Sequence, residues 1–175
     1  MRDVMDLYAP YVGRTLFGEE LDQAREILAA QGFSHTLGIV YDEVSIDKVV
    51  AHLDVRPELC QPMGIVHGGV YTSLVEDVAS LAAWWWLGGR GLAVGSSNST
   101  DFLRPVTEGR LIATATPLHR GRTQQIWVVD IVREDGKRAA QGKLRVANLP
   151  MGTPDDEELP SPLICVGLTA VSYGC

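Results

Sequence analysis

Apolar residues recur at helical spacing over residues 66–87, and Gly88-Gly89 follows the last of them. Positions three or four residues apart share one face of a helix, and glycine is frequent just after a helix ends. The pattern therefore predicts one long helix. A shorter helical pattern covers residues 18–31 and is followed by Gly32. The apolar positions of the longer pattern are Val70, Leu74, Val78, Leu81 and Ala82.

After the long helix the pattern changes to the alternation that is typical of β-strands. Two further β-rich runs precede the helix, and a loop over residues 54–64, marked by prolines and glycine, separates them from it. One long helix among successive strands predicts an α+β fold, in which a curved antiparallel β-sheet wraps around a long central helix. The predicted strands are 35–44, 46–55, 92–103, 110–119, 124–133 and 138–148.

These elements divide the chain into three parts. Residues 1–34 form an N-terminal helical extension, and residues 35–149 contain the predicted sheet and long helix. Residues 150–175 combine several prolines with the acidic run Asp155–Glu158. Because such a composition buries little apolar surface, we expect this tail to lie outside the core of the fold.

Composition and charge exclude several classes of protein. The net charge of −7 disfavours a general affinity for nucleic acids. Three irregularly spaced cysteines argue against a disulfide framework or a zinc site and fit a reducing compartment. The N-terminus lacks the apolar core of a signal peptide, and no run of about 18 apolar residues exists to span a membrane. We expect a cytoplasmic protein that binds neither nucleic acid nor membrane.

The start of the long helix has the composition of an anion-stabilising site. Gly68 and Gly69 allow backbone amides to approach a ligand, and the first amides of a helix are unpaired and lie at the positive end of its dipole. Such amides can stabilise an oxyanion. On these residues alone, however, a Gly-Gly before a helix is more often a simple turn.

An acidic pair, Glu76 and Asp77, lies in the apolar middle of the same helix. An acidic pair in a helix is often only a solvated face, but the apolar surroundings argue against that interpretation. Thr72, Glu76 and Ser80 share one face, whereas Asp77 points about 100° away and is interpreted as structural. Glu76 lies about 12 Å from Gly68 along the helix axis. Either the two residues act separately, or a second, antiparallel copy of the helix brings its glycine to this glutamate.

The spacing of these residues resembles that of a known enzyme family. His67-Gly68-Gly69 is followed by an acid nine positions after the histidine, Gln61 lies six positions before it, and Ser80 lies four after the acid. The segments DFLRPVTEG (101–109) and LHRGRTQQIWVVDI (118–131) continue the pattern. Residues 35–149 thus resemble a hotdog-fold acyl-CoA thioesterase of the phenylacetyl-CoA and hydroxybenzoyl-CoA thioesterase type. Asp101 and Ser80 depart from the family's asparagine and threonine.

The resemblance implies roles in thioester hydrolysis for several residues. Glu76 would act as nucleophile or general base, and the Gly68 amide as the oxyanion donor. Gln61 would bind the thioester carbonyl, His67 would position the site rather than act as a base, and Ser80 would hold the hydrolytic water. For Gln61 and Ser80, an ordinary loop amide and a backbone-bonded serine remain as alternatives.

The resemblance also implies where the substrate binds. Gly69 would adjoin the ligand, and Arg120 and Arg122 would contact the phosphates of coenzyme A, although both could be solvated hairpin arginines. Trp84, Trp85 and Trp86 point to three helical faces, so at most two of them can line an acyl pocket. The two aromatic residues that we select for the pocket are Trp84 and Tyr71.

The resemblance implies an acyl-CoA thioesterase that acts as a homodimer or a dimer of dimers. CoA is part of the substrate, and we expect neither a cofactor nor a metal. A non-catalytic acyl-CoA-binding module is one alternative. A hotdog hydratase or dehydratase is another, although it would require an Asp/His pair at the helix entry that this sequence lacks.

Overall fold

The computed structural model describes residues 9–28 and 32–150, and the predicted tail beyond Pro150 lies outside these residues. Three helices, one short 3-10 helix and six strands make up the described chain. The helices are α1 (Glu19–Leu28), α2 (Gly32–Leu37) and α3 (Gly68–Leu87), and the 3-10 helix is Pro57–Leu59. The strands are β1 (Val40–Val44), β2 (Val49–Asp54), β3 (Gly91–Phe102), β4 (Arg110–Arg120), β5 (Gln124–Arg133) and β6 (Arg138–Pro150).

All six strands form one antiparallel sheet in the order β1-β2-β4-β5-β6-β3. Strand β3 therefore lies at one edge and, among the described residues, pairs only with β6. A β-bulge interrupts this pairing between Gly95 and Ser97. Bulges redirect the side chains of the strand that contains them, and this one lies beside Glu76 in the middle of α3.

Helix α3 lies in the concave face of the sheet and packs against β2, β3, β4, β5 and β6. Its side chains are apolar on several faces, and residues such as Leu74, Val78 and Ala82 are fully buried. Because one helix contacts five strands, the sheet must curve around it. The predicted α+β architecture is confirmed, and α3 and the four strands that follow it begin and end within two residues of their predicted positions.

The expected strand over residues 35–44 is wrong at its start, because residues up to Leu37 are helical and β1 begins at Val40. Two long-range contacts stabilise the helix. The Arg56 guanidinium donates hydrogen bonds to the carbonyls of Thr36 and Leu37, at the end where helical carbonyls lack partners. The Ser34 hydroxyl donates to the carboxylate of Asp77 on α3.

Two smaller differences concern the segments before α3. Strand β2 begins at Val49 rather than Ile46, and the loop predicted over residues 54–64 contains the 3-10 helix Pro57–Leu59. No helix in the described part of the chain is both long and apolar enough to cross a membrane.

Candidate functional site

His67 caps the N-terminus of α3. Its backbone is extended, and its Nδ1 accepts a hydrogen bond of 2.9 Å from the Gly69 amide. This contact satisfies one of the first helical N–H groups, that of Gly69. The Gly68 amide, by contrast, has no hydrogen-bond partner within residues 9–28 and 32–150. The helix N-terminus therefore presents one free N–H group, that of Gly68, at its positive end.

A cavity of about 470 Å³ opens beside this amide. Gln61, from the loop before α3, lines the cavity, and its side-chain amide forms no hydrogen bond with the described residues. The loop itself is ordered by a hydrogen bond of 2.8 Å from the Gln61 amide to the Ile65 carbonyl. Gln61 and Gly68, which the resemblance assigns to one thioester carbonyl, thus lie at the same cavity.

Two aromatic rings form the other wall of the cavity. The rings of Tyr71 and Phe102 are 5.8 Å apart and tilted by 39°. The Phe102 ring lies so close to Gly68 that a Cβ atom there would be 3.0 Å from it. The Tyr71 hydroxyl is buried without a hydrogen-bond partner among the described residues, and burial raises the pKa of this phenol to about 12. Tyr71 therefore remains a neutral wall of the cavity at physiological pH.

Glu76 lies on the partly exposed stripe of α3 that faces β3. Its Oε2 accepts a hydrogen bond of 3.1 Å from the side-chain amide of Asn98, and Ser80 Oγ lies 3.5 Å from Oε1. A Cβ atom at Gly95 would lie 2.1 Å from Oε1, so the glycine provides the space that the carboxylate occupies. The acid thus rests against β3.

The structure does not bring Glu76 and Gly68 to one point within a chain. Eight residues of one helix separate them, which corresponds to about 12 Å along the axis. Gln61, Gly68 and Tyr71 line the cavity at the start of α3, whereas Glu76 and Ser80 lie at its middle.

Asp77 faces away from Glu76 and joins elements of the fold. Its carboxylate accepts hydrogen bonds from the hydroxyls of Ser34 and Tyr41. Burial raises the pKa of Asp77, and these two hydrogen bonds oppose that shift. The side chain therefore connects α3 to α2 and β1.

The three consecutive tryptophans have different environments. Trp84 is partly exposed and continues the stripe of Glu76 and Ser80 by one further helical turn. Trp85 is fully buried and donates a hydrogen bond of 2.6 Å to the Arg14 carbonyl. Trp86 is partly exposed and belongs to a second cavity at the end of the helix.

This second cavity measures about 420 Å³ and lies at the opposite end of α3 from Gly68. Arg90 and Arg122 line it, and the guanidinium of Arg90 lies 5.3 Å from the Trp86 ring. Arg122 forms no ion pair within the part of the chain that the structure describes. Arg120 lies over the same indole at 5.7 Å but also forms an ion pair of 2.9 Å with Asp47.

Three residues at the site were missed from the sequence: Gly95, Asn98 and Phe102. The contacts of all three with α3 are long-range and have no local signature. One signal was available, since residues 95–101 are mostly small and polar, which is unusual for a strand. Such a run indicates an edge strand with a role other than core packing.

Comparisons with known proteins relate the chain to one enzyme family. A family model described as the thioesterase superfamily matches residues 63–140. A Mycobacterium tuberculosis protein named as an esterase, Rv1847, is 46% identical over 120 residues, or 67% of this chain and 86% of the relative. The proofreading thioesterase EntH of Klebsiella pneumoniae is 32% identical over 113 residues, or 65% of this chain and 82% of the relative. The solved structure of the thioesterase HI1161 from Haemophilus influenzae has a TM-score of 0.73 and 30% identity, covering 82% of this chain and 98% of that one.

Proposed function

The chain belongs to the thioesterase superfamily, and from this we propose that it hydrolyses acyl-CoA thioesters at a site formed by two copies of the chain. The hotdog fold and the assignment as a thioester hydrolase rest on the family match and on the thioesterases among its relatives. Three parts of the proposal go beyond the family match and depend on the geometry of α3: the acyl-CoA substrate, the role of Glu76 and the shared site.

The observation that carries the proposal is the unpaired Gly68 amide at the start of α3, beside a cavity of about 470 Å³. Negative charge develops on the carbonyl oxygen when a thioester is attacked. An amide at the positive end of a helix stabilises that charge, and it is available here because His67 occupies the neighbouring Gly69 amide instead. Gln61 can donate a second hydrogen bond to the same oxygen.

Glu76 supplies the reacting carboxylate in one of two ways. As a nucleophile, one of its oxygens bonds to the thioester carbon, the C–S bond breaks, and water then hydrolyses the resulting anhydride. As a general base, it takes a proton from a water molecule whose oxygen attacks the same carbon. In the first mechanism CoA leaves as the thiolate and is protonated when water opens the anhydride; in the second, the sulfur leaves with the proton that Glu76 took from water. Ser80 lies near Glu76 Oε1, where it can orient the water.

The distance between Gly68 and Glu76 favours a site shared between subunits. If a second α3 runs antiparallel, its Glu76 can lie level with Gly68 of the first chain. Strand β3 supports this arrangement, because it is an exposed edge strand beside Glu76. Such an edge readily pairs with another strand, and a two-fold axis makes that pairing antiparallel.

The same arrangement of two antiparallel helices suggests which residues contact the acyl group and the CoA part of the substrate. Trp84 lies as far beyond Glu76 as Glu76 lies beyond Gly68, namely eight residues or about 12 Å. The partner subunit's Trp84 would then lie near the cavity of Gln61 and Tyr71, where it can contact the acyl group. Arg122, at the second cavity, would supply the positive charge that the phosphates of CoA need.

Thiol release from a panel of acetyl-CoA, octanoyl-CoA and benzoyl-CoA tests the proposed activity. We expect steady release of free thiol from at least one of them, and its loss in the Glu76→Gln variant. Tight binding of these compounds without thiol release would overturn acyl-CoA hydrolysis and favour a binding module. Hydration of crotonyl-CoA without thiol release would favour the hydratase alternative.

A further inference from the structure

Strand β3 holds the carboxylate of Glu76 through one side chain. The Nδ2 atom of Asn98 donates hydrogen bonds to Glu76 Oε2 at 3.1 Å and to the Thr72 carbonyl at 3.0 Å. Thr72 lies one turn before Glu76 on α3, so a single amide contacts both the acid and the backbone beneath it.

The orientation of this amide is fixed by its three partners. Thr100 Oγ1 donates a hydrogen bond of 2.9 Å to Asn98 Oδ1. Rotating the amide by 180° would place Oδ1 against two acceptors, the Thr72 carbonyl and the Glu76 carboxylate, and would remove both hydrogen bonds that Nδ2 donates. The amide nitrogen is therefore the end that faces Glu76.

The backbone of β3 is shaped to accept the same carboxylate. Gly95 lacks the Cβ atom that would collide with Glu76 Oε1. The bulge between Gly95 and Ser97 adds a residue, so Gly95 and Asn98 both face α3 although three positions separate them. Packing alone would not require the Asn98 amide, the glycine at position 95 and the bulge all to lie at one carboxylate.

We propose that Asn98 is a positioning residue of the hydrolytic reaction: its amide fixes the Glu76 carboxylate in the orientation that reacts, and Thr100 orients the amide. The inference rests on the proposed role of Glu76 and adds how that side chain is held. A carboxylate with a free χ angle samples several orientations, and holding it in one raises the fraction of reactive encounters without changing the affinity for the substrate.

The test uses the full-length enzyme and the acyl-CoA of the panel that it hydrolyses fastest. In Asn98→Ala we expect kcat to fall roughly tenfold or more, while KM stays within about twofold and the melting temperature changes little. Thr100→Val keeps Asn98 and should lower kcat in the same direction by a smaller factor. Ser99→Ala, the exposed neighbour on the other face of β3, is the matched control and should keep the wild-type kcat and KM.

A second comparison separates positioning from a structural role. Adding Asn98→Ala to a Glu76→Ala background should cause no further loss of the residual rate, because the group to be positioned is already absent. A structural residue would lower the rate by the same factor in both backgrounds. That result, or an unchanged kcat in Asn98→Ala, would overturn the inference.

Failure of this inference can be distinguished from failure of the proposed function. If Glu76→Ala retains the wild-type kcat, the role of Glu76 is wrong and the inference fails with it. If Glu76→Ala is inactive but Asn98→Ala retains the wild-type kcat, Glu76 keeps its role and only the role of Asn98 is wrong.

Discussion

The Gly68 amide and the Glu76 carboxylate lie on one helix, eight residues and about 12 Å apart along its axis. A thioester carbonyl cannot contact both groups in one chain, since an oxyanion donor and a nucleophile must both lie within about 3 Å of the reacting atoms. The proposed chemistry therefore requires either two chains or a different acid.

Removal of the Glu76 charge tests the chemistry itself. We expect Glu76→Gln to lower kcat by roughly a hundredfold or more, because the amide keeps the shape but cannot act as nucleophile or base. Steady-state thiol release and thermal unfolding measure rate and folding separately. Asp77→Asn, at the adjacent position, is the control and should lose far less activity. An active Glu76→Gln enzyme would rule out the mechanism.

Substitution of Gly95 tests whether the carboxylate must rest against β3. The methyl group of Gly95→Ala would have to displace Glu76 Oε1, which lies 2.1 Å from the ideal Cβ position. We expect kcat to fall by roughly tenfold or more, with a smaller change in KM. Ser97→Ala, which lies across the bulge and is exposed, should leave both constants unchanged. Equal kinetics for the two variants would contradict this placement of Glu76.

The raised pKa of Asp77 predicts a pH-dependent stability. Its ordinary value is 3.8, and burial raises the folded-state value above it. Well below pH 3.8 the carboxyl is neutral in both the folded and the unfolded state and carries no penalty. As the pH rises through the folded-state pKa, the unfolded state ionises more readily, and the free energy of unfolding falls. Urea unfolding between pH 4 and pH 8 should show Asp77→Asn gaining stability relative to wild type as pH increases. A difference independent of pH would contradict the shift.

Arg122, which lines the second cavity, and Arg120, which lies over the Trp86 ring beside it, are predicted to bind the phosphates of CoA. We expect Arg122→Ala to raise KM more than it lowers kcat, and added salt to weaken substrate binding to the wild type in the same way. Arg120→Ala should have a smaller effect on KM because Asp47 already pairs with this guanidinium. Arg110→Ala, at the opposite end of β4, serves as the charge control. An unchanged KM in the Arg120→Ala, Arg122→Ala double variant would refute the placement.

The sequence predicted the elements whose signals are local. The 3.6-residue pattern over α3 and the strand pattern of β5, Gln124–Arg133, needed no tertiary information. The helix Gly32–Leu37 was missed because Arg56 and Asp77, which stabilise it, lie far away in sequence. Local propensity is weak evidence where a few long-range hydrogen bonds decide the conformation.

In the candidate site, too, the sequence predicted only the residues whose signal is local. Gln61, Gly68 and Glu76 follow one another at spacings that resemble a family pattern, so they could be identified in one dimension. Asn98 and Gly95 could not, because their importance arises only when β3 folds against α3. For the two arginines, the sequence identified the pair but could not distinguish their environments. Arg122 lines a cavity, whereas Arg120 forms an ion pair with Asp47.

The most direct test of the shared site uses two inactive variants with complementary defects. Glu76→Ala removes the acid, whereas Gln61→Ala combined with Gly68→Pro removes the carbonyl donors. Proline is tolerated at the first position of a helix, where it removes only the free amide, although the exposed Phe102 ring must move aside. The two variants are unfolded together, refolded as an equal mixture and checked for heterodimers by mass spectrometry.

In a shared-site heterodimer one site collects both defects and the other collects none. Random pairing makes half of the dimers mixed, so we predict recovery of about a quarter of the wild-type activity. If each site lay within one chain, every site in the mixture would carry a defect. The absence of recovery, with heterodimers shown to have formed, would contradict the shared site.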